Sequence, residues 1–311
     1  MSSIITPTSL KTLCEKYKLS PSKQYGQHYL ISDAPIRKMI AAANLTKADT
    51  VMEIGPGFGV LTLAVAPLVK KVVAFEIEQK LRPFWDEKMQ EYPNVEIVWG
   101  NALVEIINHK SPKSFASGQT KIINGCTVMA NLPYSITSEA LRTILEMDNK
   151  PKKVVVMVQK EVAERICARP ARKASPRVKG EMSLLSLSVQ YYGVPRIVAQ
   201  VPAGCFWPAP KVDSAIVEII NHKFPKSFAS GQAKIKNQVD DQIFFKFARV
   251  GFAHKRKQLW HNLAYGLNLP GEEVKKVLKE VTGNEKARAE ELTVDDWEQI
   301  VHVIGNWKFE I

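Results

Sequence analysis

The segment Asn-Leu-Pro-Tyr at residues 131–134 follows an apolar run and combines groups that can hold an amine beside a flat ring. An exocyclic adenine amine is a poor nucleophile because its lone pair is delocalised into the ring. The side-chain carbonyl of Asn131 and the backbone carbonyl of Leu132 can accept its two N–H bonds and aim the nitrogen at a methyl donor. Pro133 has no N–H to compete, and Tyr134 offers a ring face for a flipped-out base. The alternative is a turn that ends a strand beside a core tyrosine.

A second candidate site is the glycine turn in the sequence VMEIGPGFG. Its glycines at 55, 57 and 59 are spaced as GxGxG, one residue shorter than the GxGxxG of dinucleotide-binding turns. The acid Glu53 just before the turn would repel a pyrophosphate and attract an ammonium. Glu76 ends the next predicted strand, where a carboxylate can accept hydrogen bonds from both ribose hydroxyls. This combination predicts S-adenosylmethionine as the ligand, although a glycine turn alone can also be a structural loop.

Asn101 follows the run VEIVWG, at the point where a third strand should end. Its amide can bind the exocyclic amine of the cofactor's adenine. Because parallel strands deliver ligand groups at their carboxyl ends, Glu76, Asn101 and Asn131 are expected along one edge of a sheet.

The elements that must position these residues alternate between strands and helices from Thr50 onward, which predicts a parallel sheet covered on both faces. The predicted strands are VMEIG, KVVAFE, VEIVWG, CTVMA, KKVVVMVQ and SAIVEII. After about residue 238 the apolar residues recur only at helical spacing. We therefore expect an α/β domain over residues 1–215 and a small helical domain over residues 216–311.

The charge balance points to a polyanionic partner. The 311 residues include 43 Lys and Arg against 31 Asp and Glu, which gives a net charge of +12 and an isoelectric point near 9.4. Nucleic acid is the first candidate partner, and a membrane surface is the alternative. No apolar stretch approaches the roughly 18 residues that a membrane span needs.

The N-terminal residues and the spacing of the cysteines give expectations for cellular location and metal binding. The first residues show no secretory or transit pattern, so a cytoplasmic location is expected. The cysteines at 14, 126, 167 and 205 have no zinc-ligand or disulfide-framework spacing, so no metal site is predicted.

Residues 105–124 recur at 218–237 as a nearly identical tract. Two copies so far apart exclude a stacked repeat architecture. Each copy follows a strand-like run and contains Pro, Lys, Ser and Gly, which predicts insertion at the surface. A neutral insertion and an RNA-gripping element both remain open. The copies differ only at Ser111/Phe224, Thr120/Ala233 and Ile123/Lys236.

Several segments together resemble the KsgA-type bacterial small-subunit ribosomal RNA adenine dimethyltransferases. They are QYGQHYLISD, EIGPGFGVLT, AFEIE, ANLPYSITS, MVQKEVAERICARP and FWPAPKVDSAIVEI. The similar amino DNA methyltransferases usually carry Pro as the second residue of the Asn-Leu-Pro-Tyr motif, so the Leu132 form is specific. The resemblance implies an α/β fold, a class I methyltransferase Rossmann-like sheet with helices on both faces, plus a small all-helical C-terminal domain.

The resemblance also implies the activity. It implies S-adenosylmethionine-dependent dimethylation of N6 of two adjacent adenines near the 3′ end of small-subunit ribosomal RNA, coupled to ribosome biogenesis. The implied partners are that RNA and the pre-ribosomal small subunit, with no membrane, and the chain is expected to be a monomer. The alternative is a catalytically weakened ribosome-assembly or nucleic-acid-binding factor on the same fold.

Carried over by position, the catalytic residues are those of segment 131–134. The implied cofactor contacts are His28, Leu30, Gly55, Glu76, Asn101 and Asn131. Two of them depart from the family pattern, which commonly has Asn at position 28 and Asp at position 101. Asn101 lacks the charge of a carboxylate, so we expect a somewhat weaker cofactor affinity.

The C-terminal half carries a basic cluster, Lys255, Arg256 and Lys257, within a stretch that also holds aromatic residues. Given the implied activity, the cluster is predicted to contact RNA phosphates. The aromatic residues recur on an apolar stripe, so they are predicted to belong to the core; they are Phe244, Phe247, Phe252 and Trp260.

Overall fold

The fold was obtained as a computed structural model of the chain, which describes residues 6–21, 28–108, 125–170, 182–222 and 240–307. The described residues fall in two compact units. The first takes its residues from Met1–Ala163 and Gly193–Phe224, and the second from Glu164–Tyr192 and Pro225–Ile311. The first unit contains the strands, and the second is helical in its described part.

The strands of the first unit form one large sheet and one small ladder. They are β1 (Tyr29–Leu30), β2 (Thr50–Ile54), β3 (Lys71–Glu76), β4 (Val95–Trp99), β5 (Thr127–Asn131), β6 (Lys153–Gln159), β7 (Gly193–Val201), β8 (Phe206–Trp207) and β9 (Ser214–Asn221). Seven of them, among the described residues, follow the order β4-β3-β2-β5-β6-β9-β7. β4 to β6 are parallel, whereas β9 runs antiparallel to both β6 and β7. β1 pairs with β8.

Helices alternate with the strands from β2 to β6, as the sequence predicts. In chain order, the first helices are α1 (Pro7–Lys16), α2 (Asp33–Ala43), α3 (Thr62–Val65), α4 (Arg82–Glu91), α5 (Ala102–Asn108), α6 (Thr137–Leu145) and α7 (Lys160–Ile166). The Thr6 side chain accepts a hydrogen bond from the Ser9 N–H at 3.1 Å and so caps α1, which begins with a proline.

The central strands read as continuous apolar runs because both faces of the sheet are covered. All five residues from Val154 to Val158 in β6 are buried. β7 differs because it lies at one edge of the sheet: most of its residues are exposed or partly exposed, and it contains Pro195. This weak strand pattern explains why the sequence did not predict β7. The sheet is mixed, and not parallel as the sequence predicted, because β9 runs antiparallel to β6 and β7.

The structure revises the sequence-based boundaries near the duplicated tracts. The expected domain boundary at 215/216 falls inside β9, whose residues belong to the first unit. The first residues of each tract are core elements and not surface insertions, because Ile106 in α5 and Ile219 in β9 are buried. The remainder of the tracts, residues 109–124 and 223–237, lies outside the described part of the chain.

The second unit contains the remaining helices, α8 (Leu184–Tyr192), α9 (Asp241–Gly251), α10 (Leu259–Leu267), α11 (Gly271–Thr282) and α12 (Val294–Gly305). Tyr191 stacks on Phe244 with ring centroids 3.9 Å apart. Phe244 and Phe247 are buried and Phe252 and Trp260 are half-buried, which agrees with the predicted core role for these aromatic residues.

Candidate active site

The carboxyl ends of β2, β3 and β4 are tied together by backbone hydrogen bonds. The Gly55 N–H donates to the carbonyl of Phe75 at 2.9 Å, and the Gly100 N–H donates to the carbonyl of Glu76 at 2.9 Å. The turns that follow these strands are therefore held side by side, as the sequence predicts for one sheet edge.

The glycine turn after β2 needs its glycines for two different reasons. Gly55 has a φ of +69°, and a Cβ built there would meet no heavy atom within 4 Å, so the backbone faces open space. Gly59 is closed in, since its Cβ would lie 2.8 Å from the ring of Trp85. The Trp85 Nε1–H donates to the carbonyl of Gly57 at 3.1 Å and fixes the turn. Of these two glycines, Gly55 is the one that leaves room for the close approach of a ligand.

Glu76 is buried, and both of its carboxylate oxygens accept backbone hydrogen bonds. The N–H of Gly57 donates to Oε2 at 2.9 Å, and the N–H of Glu78 donates to Oε1 at 2.8 Å. Burial raises the pKa of the Glu76 carboxyl despite these donors. A carboxylate has about four acceptor sites, so Glu76 can still accept a hydrogen bond from a ribose hydroxyl.

Glu53 lies just before the glycine turn, and its carboxyl group accepts a hydrogen bond from another side chain of the protein. It is buried, and the Thr62 hydroxyl at the start of α3 donates to Oε2 at 2.7 Å. Burial, and secondarily the negative charge of Glu76, raises the pKa of Glu53 to about 8. Without a nearby cation the carboxyl is thus largely neutral at pH 7. The predicted attraction for an ammonium would require that cation to displace the proton.

Asn101 caps α5. Its Oδ1 accepts the N–H of Leu103 at 3.0 Å, while the residue itself remains exposed. The carbonyl that the sequence assigns to the cofactor's adenine amine therefore already has one partner and retains one lone pair.

Asn131, at the end of β5, has a defined amide orientation. Its Nδ2 donates to the carbonyl of His28 at 3.2 Å, so Oδ1 faces the other way. No described residue donates a hydrogen bond to that oxygen. The side chain is thus held with its acceptor available, which is the orientation needed to accept an N–H from an amine.

Tyr134 and His28 are held by residues that follow β8, namely Ser214 at the start of β9 and Pro208 just after β8. The Tyr134 hydroxyl lies 2.8 Å from the hydroxyl of buried Ser214, and burial raises the pKa of Tyr134. His28 Nδ1 lies 2.6 Å from the carbonyl of Pro208. Because a carbonyl can only accept, Nδ1 must carry the proton. The rings of His28 and Tyr134 are 5.5 Å apart between centroids.

The predicted cofactor-binding and catalytic residues line one cavity of about 480 Å³. Leu30, Leu132 and Pro133 are included with those already described, so no member of either predicted set lies elsewhere. The volume is within the usual range for small-molecule pockets, about 300–1,000 Å³.

Sequence reasoning missed two residues of this site. Ile77 follows Glu76, lines the cavity and is 62% exposed, so it offers apolar surface beside the strand-end acid. Its signal was an apolar residue placed directly after the end of a strand. Ser214 had been noted only as part of a family segment, and its contact with Tyr134 depends on the pairing of β6 with β9.

The basic cluster lies in the second unit. Lys255, Arg256 and Lys257 are exposed, and the Lys257 N–H donates to the carbonyl of His254 at 2.9 Å, which closes a turn. We call residues 254–257 the basic turn.

The described residues hold neither a metal-binding cluster nor a membrane-spanning helix. They contain no group of three or more His, Cys, Asp or Glu side chains that could hold a metal ion. None of the described helices is long and apolar enough to cross a membrane.

The fold of the first unit is that of the class I methyltransferases. A dimethyladenosine transferase from Plasmodium falciparum has the same fold, with a TM-score of 0.67 over 90% of this chain and 98% of that one, at 23% identity. The 23S rRNA methyltransferase ErmE aligns with a TM-score of 0.62 over 88% of this chain and 98% of that one, at 21% identity.

The chain belongs to the ribosomal RNA adenine dimethylase family, whose model matches residues 19–306. Two similar proteins are both named Ribosomal RNA small subunit methyltransferase A. One, from Dehalococcoides mccartyi strain 195, is 39% identical over 93% of this chain and 90% of its own length. The other, from Bacillus mycoides, is 35% identical over 96% of each chain. The family and the fold class expected from the sequence are confirmed.

Proposed function

We propose that this protein transfers methyl groups from S-adenosylmethionine to N6 of two adjacent adenines near the 3′ end of small-subunit ribosomal RNA, two methyls to each. Family membership and the names of the relatives support the reaction and the RNA. The observation that supports this chemistry is the orientation of Asn131, which lines the cavity. Its amide nitrogen is bonded to the His28 carbonyl, so its side-chain oxygen points away from that carbonyl and stays available.

The residues at the β2–β4 end of the cavity fit an adenosine-containing cofactor. Gly55 leaves open space for close approach, Glu76 can accept from the ribose hydroxyls, and Asn101 can accept from the adenine amine. Exposed Ile77 offers a surface for the purine ring. S-adenosylmethionine would supply a methyl group that is already electrophilic because it is bonded to a sulfonium.

The residues at the other end act on the RNA base. Asn131 Oδ1 and the Leu132 carbonyl accept the two N–H bonds of the target amine and hold its nitrogen toward the cofactor. Tyr134 stacks the extruded adenine, and its hydroxyl contact with Ser214 keeps the ring in place. Each transfer would form an N–C bond and break the methyl–sulfur bond, so S-adenosylhomocysteine leaves and the nitrogen releases one proton to solvent. The contribution of these residues is orientation and hydrogen-bond acceptors.

The RNA partner is supported by charge. The net charge of +12 and the exposed basic turn suit a polyanion such as the pre-ribosomal small subunit. A cytoplasmic monomer is part of the same proposal. The alternative, a factor with weakened catalysis, is not favoured by any observation, since Asn101 lies in the cavity and Asn131 keeps its acceptor.

Methylation of isolated particles tests the proposal. Purified protein is incubated with S-adenosylmethionine and small subunits that lack the modification, and the RNA is analysed by mass spectrometry. The expected product is N6,N6-dimethyladenosine at two neighbouring positions. RNA that gains no methyl groups, from protein shown to bind the cofactor, would refute it.

A further inference from the structure

The second unit exposes a single large apolar side chain among its described residues. It is Tyr265 in α10, which is 77% exposed, whereas the phenylalanines of α9 are largely buried. An isolated exposed tyrosine would need no explanation. Tyr265 is not isolated, because other aromatic rings and a cluster of cations are held by the same helix.

The ring of Tyr265 is held in place by a stacking contact within its own helix. It stacks on His261, one helical turn earlier, with centroids 4.4 Å apart and an angle of 29° between the planes. His261 in turn meets the edge of Trp260 at 5.6 Å. Trp260 is anchored because its Nε1–H donates to Gln258 at 2.6 Å and Lys275 from α11 covers its ring at 4.3 Å. The result is a row of three rings that ends in an exposed face.

The basic turn is fastened to the same helix. Buried Asn262 in α10 donates from Nδ2 to the carbonyl of Gly251 at 2.7 Å and to the carbonyl of His254 at 3.2 Å. The turn ends two residues before α10 begins at Leu259, and Tyr265 lies six residues further along the helix, about 9 Å at 1.5 Å per residue. Rigid attachment means that binding here requires little reordering.

The basic turn carries a net positive charge, whereas lysines on α11 are paired with glutamates of the same helix. Lys255, Arg256 and Lys257 are exposed, and none of them has an ion pair among the described residues. Lys275 is paired with Glu272, so its charge is largely compensated. Cations that track a backbone beside an open aromatic face are the pattern of single-stranded nucleic-acid sites.

We propose that Tyr265 and the basic turn form one binding site for single-stranded RNA, in which an unpaired base stacks on Tyr265 and the neighbouring phosphates contact Lys255, Arg256 and Lys257. The site rests on the proposed function for its RNA partner and adds a base-stacking contact outside the cavity. It serves to hold the substrate and takes no part in methyl transfer.

Binding of the full chain to a single-stranded oligoribonucleotide of about 10 nucleotides, carrying one 2-aminopurine, tests the site. Tyr265→Ala is expected to weaken binding about 5- to 150-fold, which corresponds to about 1–3 kcal/mol. It should also remove the quenching of 2-aminopurine that stacking causes. Tyr265→Phe is the matched control, because it keeps the ring face and should bind like the unmodified protein.

Salt dependence separates the two parts of the site. Replacing Lys255, Arg256 and Lys257 by alanine should lower the slope of log K against log salt by about 2, at about 0.7 per phosphate contact. Tyr265→Ala should leave that slope unchanged. Because Tyr265 is exposed, its replacement by alanine should leave the fold intact. Unfolding curves of the variant check this.

If Tyr265→Ala binds the oligonucleotide as tightly as the unmodified protein, the stacking site is refuted. The proposed function is judged separately, by methylation of small-subunit RNA with the unmodified protein. A chain that binds and quenches the oligonucleotide but methylates nothing would leave the stacking site standing and refute the methyltransferase.

Discussion

At one end of the cavity the side-chain oxygens of Glu76 and Asn101 already accept backbone hydrogen bonds, whereas at the other end Asn131 keeps its oxygen unpaired among the described residues. The first two residues hold the loops that they project from. Asn131 is instead held by its amide nitrogen, through the His28 carbonyl. We call these the cofactor end and the target end.

The difference teaches how one sheet edge serves two tasks. At the cofactor end, the groups that would bind the ligand also build the binding site, so changes there should affect cofactor affinity and stability together. At the target end, the acceptor is oriented but unused, so its removal should cost chemistry and little else.

Removal of the unused acceptor should have the largest effect. Asn131→Ala is expected to lower the rate of methyl transfer at saturating substrates about 100- to 1,000-fold, because the target amine loses its orienting partner. Single-turnover methylation of small-subunit RNA measures this rate. Asn131→Asp, which keeps an acceptor but loses the donor to His28, should retain more activity than the alanine variant. Equal losses in the two variants would remove the assigned role of the oxygen.

Neutralising the acid of the cofactor end should come next. Glu76→Gln is expected to weaken cofactor binding about 10- to 100-fold, because charge-assisted acceptors are lost and the amide opposes a backbone N–H. Calorimetric titration gives the affinity, and thermal unfolding should show lower stability as well.

Glu96→Gln provides the matched control for that variant. Glu96 lies on the adjacent strand β4, pairs with exposed Lys71 at 2.7 Å and does not line the cavity. It should leave both cofactor affinity and stability nearly unchanged. A similar loss of affinity in the two variants would point to a general charge effect.

The buried acid beneath the turn should make stability depend on pH. The pKa of Glu53 is raised from 4.5 to about 8, so between these values the folded chain holds a proton that the unfolded chain releases. The free energy of unfolding therefore falls as pH rises through this window. Glu53→Gln keeps an acceptor for Thr62 and lacks the titration.

Urea unfolding at several pH values tests this point. The stability of Glu53→Gln relative to the unmodified protein should rise between about pH 5 and about pH 8. A difference that stays constant across the window would show that the carboxyl is ionised in the fold.

The smallest effect is expected from restoring the acid that the family commonly has at position 101. Asn101→Asp should tighten cofactor binding several-fold, since a carboxylate is a stronger acceptor for the adenine amine and an equally good cap for α5. Calorimetry is again the measurement. Unchanged or weaker binding would mean that position 101 does not contact the adenine.

Glu76 and Asn131 could be predicted from the sequence because each directly follows a buried apolar run, and Asn101 because it comes just after the predicted strand VEIVWG. Their hydrogen bonds could not, since the Asn131 orientation depends on the His28 carbonyl, over a hundred positions away in the chain. The contact between Tyr134 and Ser214 likewise arises only when β9 pairs with β6.

The duplicated sequence Glu-Ile-Ile-Asn shows that secondary structure, too, could not be predicted from the local sequence alone. At residues 105–108 it is helical, because Asn101 caps α5. At residues 218–221 it is a strand, because β6 and β7 pair with it on both sides and Lys153 bonds buried Glu218 at 3.1 Å. Identical local preferences give opposite results, so the surroundings decide.

The cofactor dissociation constant of Asn131→Ala tests the division between the two ends most directly. Our account predicts a value within about threefold of the unmodified protein, a small change in free energy, alongside the large loss of methyl transfer. The family resemblance implies that Asn131 also contacts the cofactor, so a rise as large as that of Glu76→Gln would favour that role and contradict our account.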